Sequence, residues 1–404
     1  MKKIALAYLC GEYPRATDTF IQREVAALRR AGLTVETLAV RRPAAREQGT
    51  AEQEEERRNT HYLLPCPPWG LLGDHLGLLL RTPGRYLRAV RLALTVRAPG
   101  LRALIYQLFY FAEAGMVAAR MRRRGLTHLH NHAPDSSGYV ALLAAELGDL
   151  TYSMTIHGFG ILAEPSRWRL REKIERALFT ICVSQHAKSQ AMLWSQRSCW
   201  SRLHVVHCGI EPESMVAQRR HEGRGRRLLF VGRFDHVKGL PLLLQAFSTL
   251  AQRDSELQLD LVGDGPERAD LEALVDELGL RERVTFHGYH SQAQLRADYA
   301  QADLFVLTSF AEGIPVVLME AMAQGVPVVA PRITGIPELV EDGVSGLLYT
   351  PGDVEQLVGR IEMLLADADL RNRCVEAGRQ TVLQQFNLTT ESARLAAIMR
   401  ARLQ

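Results

Sequence analysis

The sequence has no Cys-x-x-Cys pair. Its six cysteines, Cys10, Cys66, Cys182, Cys199, Cys208 and Cys374, stand apart from one another, which argues against a structural zinc site and against a disulfide framework. A reducing, cytoplasmic setting fits best. Long apolar runs are also missing. "LLPCPPWGLLGDHLGLLL" is broken by prolines, glycines and Asp74, and "LRALIYQLFYFAEAGMVAA" carries Arg102 and Glu113, so neither reads as a membrane-spanning helix. The start, Met1-Lys-Lys and then the strand-like IALAYL, shows no cleavage-site pattern, and no signal peptide is expected. Gly-Lys-Ser/Thr is absent, which excludes a Walker A phosphate loop. "GDGP" at 263–266 lacks the third glycine and the later acidic residue of a dinucleotide fingerprint, so a tight turn before a helix is the better reading.

What remains is an ordinary globular composition, 47% hydrophobic and 23% charged over 404 residues, enough for two or three domains. Charge is divided unevenly. Residues 1–204 hold 29 Lys or Arg against 17 Asp or Glu, and residues 205–404 hold 20 against 28, so a basic half precedes an acidic one. The basic half suits a polyanionic neighbour such as anionic lipid or a phosphate-bearing substrate; it lacks the compact Lys-rich or aromatic-laced patch of a nucleic-acid binder, and none is expected.

Short β-like runs alternate with helical patterns, the signature of parallel sheets covered by helices. Strands are expected at 4–8, 34–40, 127–130, 152–155 and 179–183, and then at 227–231, 258–262, 284–287, 304–307, 326–330 and 346–348. This is an α/β chain of two open domains, with a Gly- and Arg-rich boundary at 207–227. Residues 63–126 interrupt the alternation. Within them "RYLRAVRLALTVR" sets Arg85, Arg88 and Arg91 along one helical stripe, either a basic face for anionic lipid or a solvated face on a packed helix.

The loops after the later strands carry the chemistry, because ligands of open α/β sheets bind at the strands' carboxyl ends. "GRFDHVKG" at 232–239 places Arg233 and Lys238 beside glycines at a strand-to-helix junction, which suits a phosphate. In "SFAEGIPVVLMEAMAQG", Pro315 and Gly325 mark a helix from about 315 to 324. Glu312 then lies in the preceding loop, and Glu320 lies among Val317, Leu318, Met319, Ala321 and Met322. A carboxylate there must be exposed, paired or bound to ligand hydroxyls. His128, His130 and His132 alternate along a strand and invite a metal reading, but no carboxylate is spaced to complete a site, and no metal or other cofactor is expected.

Together with "FVGRFDHVKG", "LVGDGPER", "VTFHGYH", "YAQADLFVLTSFAEG" and "VVHCGIEPE", the stretch "EGIPVVLMEAMAQGVPVVAPRITGIPELVEDGVSGLLYTPGD" resembles the donor site of the retaining glycosyltransferases of family 4. "EYPRATDTFIQREVAALRRAGLTVETLAV", "LTHLHNH" and "TIHGFG" are similar to its bacterial exopolysaccharide, colanic-acid-type branch. The resemblance implies a GT-B architecture, two Rossmann-like domains facing across a cleft: an acceptor-side domain at 1–208, a donor domain at 209–385 and a final helix at 386–404 crossing back. It implies that Gly232, Arg233 and Lys238 hold the diphosphate of a nucleotide sugar, and that the amides of Gly313, Ile314, Val316 and Val317 point at phosphate and sugar. Glu312 would contact sugar hydroxyls, Glu320 the ribose diol, Gly288 and Tyr289 the base, and His157 the donor sugar. Asp18, Thr19 and His132 would lie on the acceptor side. The implied reaction is metal-independent transfer of a hexose from a UDP- or GDP-sugar to a glycan acceptor, lipid-linked at the cytoplasmic membrane face. A sugar-nucleotide epimerase would turn over donor without acceptor, and a silent binding module would have no reason to keep Arg233, Lys238, Glu312 and Glu320 together. The chain departs from the family pattern at Gly160, at Thr334-Gly335, where Gly-Gly is usual, and at Thr17-Asp18-Thr19.

Overall fold

A computed structural model describes residues 4–15, 18–43, 51–211 and 225–403, so Thr17 and most of the boundary segment, residues 212–224, lie outside the described residues. The chain divides into two compact units, residues 1–206 with 388–404, and residues 207–387.

The first unit contains the strands β1 (Ala5–Glu12), β2 (Thr34–Arg41), β3 (His61–Tyr62), β4 (His128–His132), β5 (Thr151–Ile156), β6 (Phe179–Cys182) and β7 (Leu203–Val205). They form one parallel sheet in the order β3-β2-β1-β4-β5-β6-β7. Its helices are α1 (Thr19–Arg30), α2 (Ala51–Asn59), α3 (Pro68–Arg81), α4 (Pro83–Val96), α5 (Leu101–Arg124), α6 (Ser136–Gly148), α7 (Phe159–Ala163), α8 (Leu170–Arg176) and α9 (Gln185–Leu193), joined by the chain's last helix. The second unit contains β8 (Arg227–Val231), β9 (Gln258–Val262), β10 (Val284–Gly288), β11 (Leu304–Val306), β12 (Val328–Pro331) and β13 (Leu347–Tyr349), parallel in the order β10-β9-β8-β11-β12-β13. Between and after them run α10 (Leu240–Arg253), α11 (Arg268–Glu277), α12 (Gln292–Gln301), α13 (Val316–Ala323), α14 (Ile336–Leu339), α15 (Val354–Ala366) and α16 (Ala368–Gln385), and α17 (Leu388–Leu403) belongs to the first unit.

The strand alternation explains both sheets. Successive side chains of β1 point to opposite faces: Ala7 and Leu9 pack with Val117, Met121 and Leu143 of α5 and α6, while Leu6 and Tyr8 pack with Val25 and Leu28 of α1 and Leu395 of α17. With both faces covered, β1 and the strands β8, β11, β12 and β13 of the second sheet are mostly apolar, as buried parallel strands are, whereas β4 is mostly polar. β3 and β7 were not expected from the sequence, because two or three residues are too short to show a period. Strand β4 runs on to His132, beyond the expected 130, because its polar side chains find partners in β5.

In the basic stripe of α4, Arg85 pairs with Asp149, and Arg88 Nε lies 2.9 Å from Glu146 Oε1 at the end of α6, so these two cations meet acids of the same unit at its surface. Arg91 alone of the three is exposed without such a pair in the described residues.

Glu113, buried on α5, is held above the usual carboxylate range by that burial, to about 7, against the opposing pull of Arg41. Between pH 4.5 and about 7 the folded chain keeps a proton that the unfolded chain has released, so stability falls as pH rises through that window. Glu113→Gln removes this loss. Its melting temperature should exceed that of the parent at pH 8, by the equivalent of about 1–3 kcal/mol, with the gap closing by pH 4.5; calorimetry across that range checks both the sign and the window.

Candidate functional site

In the second unit the strand order reverses direction between β8 and β11, and the loops that follow these neighbouring strands leave the sheet side by side at its carboxyl edge. One is 232–239; the other is 307–315. They are stitched together by backbone and side chain: Phe310 N donates to Val237 O at 2.7 Å, and Thr308 Oγ1 donates to Lys238 O at 2.9 Å. This register brings Lys238 Nζ to 2.6 Å from Glu312 Oε1, which also accepts from Ser309 Oγ at 2.6 Å. Both ends of the ion pair are largely buried, with side chains 21% and 11% exposed, so the pair is less screened than a surface one. Two residues 74 apart in sequence therefore form one polar centre.

Glycine makes this packing possible. Gly239 has φ +60°, and a Cβ there would sit 2.4 Å from Thr308 O; a Cβ on Gly263, φ +139°, would sit 1.8 Å from Gly232 O. Neither position has room for a side chain. The loop after β9 can thus lie directly against the loop after β8, and Gly263 N donates to Gly288 O at 2.8 Å, drawing in the segment that carries Tyr289. His287 is held by Asp260 at 2.6 Å. Burial opposes Asp260's charge, but hydrogen bonds from Arg227 and His287 outweigh it and hold the carboxyl below its usual range.

Helix α13 starts one residue later than the sequence implied. Pro315 is its extended cap residue, φ −73° and ψ 120°, and no side chain caps the helix, so the amides of Val316 and Val317 end in a first turn without a side-chain acceptor. Glu312, Gly313 and Ile314 lie just before this N-terminus, and Lys238 pairs with Glu312. Glu320, one turn further in, is 2% exposed, which rules out the surface-glutamate alternative. It lies beside Tyr299, whose hydroxyl burial and Glu320's charge push well above the usual phenol range. Arg233 pairs with its neighbour Asp235 at 2.6 Å and is 61% exposed at its side chain. The structure brings Lys238 and Glu312 into contact, ties Gly232 and Gly288 into the same loop cluster, and leaves Tyr289 58% exposed at its edge.

The first unit builds a second polar cluster along β4 and β5, from His128 and Thr151 at their starts to His132 at the carboxyl end of β4. His128 bonds Thr151 and Ser153, and His130 bonds Ser153 and Thr155, a ladder of imidazoles against hydroxyls within the core. Burial pushes His128 down to about 3 and His130 well below the usual imidazole range, so both are neutral. His132 was expected on the acceptor side, but it is 1% exposed and touches other side chains instead. Its Nε2 donates to Glu24 Oε1 at 3.0 Å, and its Nδ1 lies 2.8 Å from His157 Nε2. Glu24 Oε1 also accepts from Tyr8 OH at 2.7 Å.

The contacts thus run from Tyr8 through Glu24 and His132 to His157. Burial, and then neighbouring His132, hold His157 well below the usual imidazole range, so it stays neutral. Glu24 and Tyr8 went unrecognised in the sequence. The available signal was a carboxylate at Glu24 inside the apolar stripe Ile21, Val25, Leu28 of α1. Glu24 also supplies the carboxylate that the spacing of the histidines did not provide: Glu24, His130 and His132 lie within 4.8 Å of one another, although both His130 nitrogens are engaged with hydroxyls. Asp18 and Thr19 stand at the start of α1, where Asp18 lies 3.7 Å from Arg15. Lys173, buried below the turn after β4, donates to Pro134 O at 2.8 Å and Asp135 O at 2.7 Å and holds that turn in place.

Thr334 stands in the left-handed region at φ +44°, with Oγ1 buried and without a hydrogen-bond partner among the described residues. A β-branched side chain is strained there. Thr334→Gly should stabilise the protein by about 1 kcal/mol, the relieved strain less the added chain entropy; a lower midpoint in urea unfolding would contradict that account.

Residues 18–214 match the model "Glycosyltransferase Family 4" and residues 213–381 match "Glycosyl transferases group 1". The chain is 24% identical to the putative colanic acid biosynthesis glycosyltransferase WcaL of Salmonella typhimurium, across 98% of this chain and 99% of that one. It is 34% identical to the amylovoran biosynthesis glycosyltransferase AmsK of Erwinia amylovora, across 49% of this chain and 50% of that one. Among solved structures, sucrose-phosphate synthase from Thermosynechococcus elongatus superposes with a TM-score of 0.76 at 20% identity, covering 99% of each chain. HepE from Anabaena in complex with UDP-glucose superposes with a TM-score of 0.73 at 20% identity, covering 98% of this chain and 100% of that one. With its GT-B fold and matches to both family models, the chain belongs to the family 4 glycosyltransferases, in an exopolysaccharide-type branch with WcaL and AmsK.

Proposed function

We propose that the protein is a retaining, metal-independent hexosyltransferase that moves a sugar from a UDP- or GDP-sugar to a lipid-linked glycan acceptor during assembly of a cell-surface polysaccharide. The observation that carries this reading is the ion pair of Lys238 with Glu312, in the loop that leads into the uncapped N-terminus of α13, with Glu320 buried on that helix. Cation and helix terminus each favour negative charge. The relatives' names, colanic acid and amylovoran biosynthesis, support the polysaccharide, and the UDP-glucose complex of HepE supports a nucleotide-sugar donor. Six cysteines without a Cys-x-x-Cys pair fit a reducing compartment, the inner side of the cytoplasmic membrane.

In this mechanism the donor diphosphate replaces Glu312 as the partner of Lys238, and Arg233 swings from Asp235 to reach it. The C1–O bond of the sugar breaks, and charge collects on the leaving phosphate oxygen, where Lys238 and the Val316 and Val317 amides meet it. The acceptor hydroxyl attacks C1 from the face that the leaving group vacates, and its proton passes to a phosphate oxygen. No enzyme nucleophile takes part. Glu312, released from Lys238, accepts from sugar hydroxyls, and Glu320 accepts from the ribose diol.

Thermal unfolding with UDP-, GDP- and ADP-sugars tests the donor class, since a ligand that binds the folded state raises its stability with ln(1 + [L]/Kd). One nucleotide class should raise the melting temperature. Lys238→Ala should lose that rise and cut transfer by roughly two to three orders of magnitude while keeping the fold; near-normal transfer would remove the diphosphate assignment. Donor conversion without any acceptor would instead identify an epimerase.

A further inference from the structure

Residues 68–109 present an apolar surface that the glycosyltransferase reaction does not use. Among the described residues, twelve of the eighteen most exposed large hydrophobic side chains fall between Trp69 and Phe109. They are not scattered. On α3, Trp69, Leu72, Leu76 and Leu80 follow one another at three- and four-residue steps, which places them on one helical stripe, and Trp69 and Leu80 are 81% and 72% exposed. On α5, Leu101, Ile105 and Leu108 repeat the same spacing and the same exposure. Between them α4 sets Leu87, Arg91 and Leu94 outward on a third stripe. The inward faces of these helices are already used: Leu78, Ala89, Leu92 and Val117 belong to the core of the first unit.

The charge around this surface has one sign. From His75 to Ala112 there are six arginines and no aspartate or glutamate. Two of the six, Arg85 and Arg88, are consumed by Asp149 and Glu146, while Arg81, Arg91 and Arg102 are exposed among the leucines. Soluble monomers rarely expose apolar stripes on this scale. No helix of the described residues is long and apolar enough to cross a membrane. Apolar stripes on three mutually packed helices, an exposed tryptophan and tyrosine among them, and cations without counter-charges among the described residues match what an interfacial helix presents to anionic lipid.

We infer that α3, α4 and α5 dock the protein on an anionic lipid surface, with the leucines of α3 and α5 entering the acyl boundary and Arg81, Arg91 and Arg102 at the phosphates. The contact is made by the apolar stripes and not by the Arg85 and Arg88 face. The inference deepens the proposed function, on which it rests for its purpose: docking would bring the transferase to an acceptor carried on lipid.

The test uses the full chain in flotation with vesicles of phosphatidylcholine alone and of phosphatidylcholine mixed with phosphatidylglycerol. The parent should float with the mixed vesicles, and added salt should weaken the binding. The double variant Leu80→Glu with Ile105→Glu should lose at least about tenfold in partitioning, and Arg91→Ala with Arg102→Ala should lose less but become insensitive to the anionic lipid. Arg85→Ala with Arg88→Ala should bind as the parent does. Circular dichroism and the nucleotide-sugar melting shift, read on the same samples, show that the variants are folded. Absence of parent binding to the mixed vesicles overturns the inference, as does unchanged binding by the Leu80 and Ile105 variant. So does a concentration-dependent dimer, seen by analytical ultracentrifugation, that the same variant abolishes, since the face would then join two copies of the chain. Vesicle binding without any response to nucleotide sugars would overturn the donor assignment and leave the docking surface standing.

Discussion

The donor-side unit depends on how closely its loops approach one another at the carboxyl edge of the sheet. Gly232 O occupies the space that a Cβ on Gly263 would need, and Thr308 O does the same at Gly239. Given that approach, Phe310 can hydrogen-bond to Val237, and Lys238 is carried to Glu312 in the loop that leads into α13. A side chain at either glycine would push the two loops apart, and a shift of an ångström separates a bridged ion pair from two solvated charges. The site is therefore made by backbone packing first, and by charged side chains second.

Glu312 and Lys238 also show how such a site stays soluble and ordered without its ligand. A mostly buried ammonium with no counter-charge would be costly. Glu312 supplies that charge in the same place where a diphosphate would supply it, and the exchange of one anion for another leaves the local field nearly neutral throughout. The first unit solves a related problem differently. Its β4 strand puts three imidazoles into a core, and their cost is offset by hydroxyls on the neighbouring strand and, for His132, by Glu24. That ladder continues to His157, whose Nε2 lies against His132 Nδ1.

The helical insert of the first unit follows neither rule. Its inward faces close the core over β1 and β2, whereas its outward faces are apolar and ringed by arginine. An amphipathic pattern identifies a helix with two faces, and it cannot say which is turned inward when both contain leucine. Arg85, Arg88 and Arg91 read as one stripe in sequence; the acids at the end of α6 divide them into two neutralised cations and one exposed cation.

Local periodicity and the order of motifs determined a great deal by themselves: an α/β chain, parallel sheets, the loop bearing Arg233 and Lys238, the helix after Pro315 and the placing of Glu320 inside it. These are features of contiguous residues, where strand period, turn chemistry and helix caps act over a few positions. Tertiary structure alone decided that Lys238 bonds Glu312, that Glu24 reaches across from α1 to His132, that His132 is buried, and that Thr334 holds a left-handed conformation. Those facts depend on which strands are neighbours, and strand order in a sheet is settled by the packing of whole helices against it, which no short stretch of sequence contains.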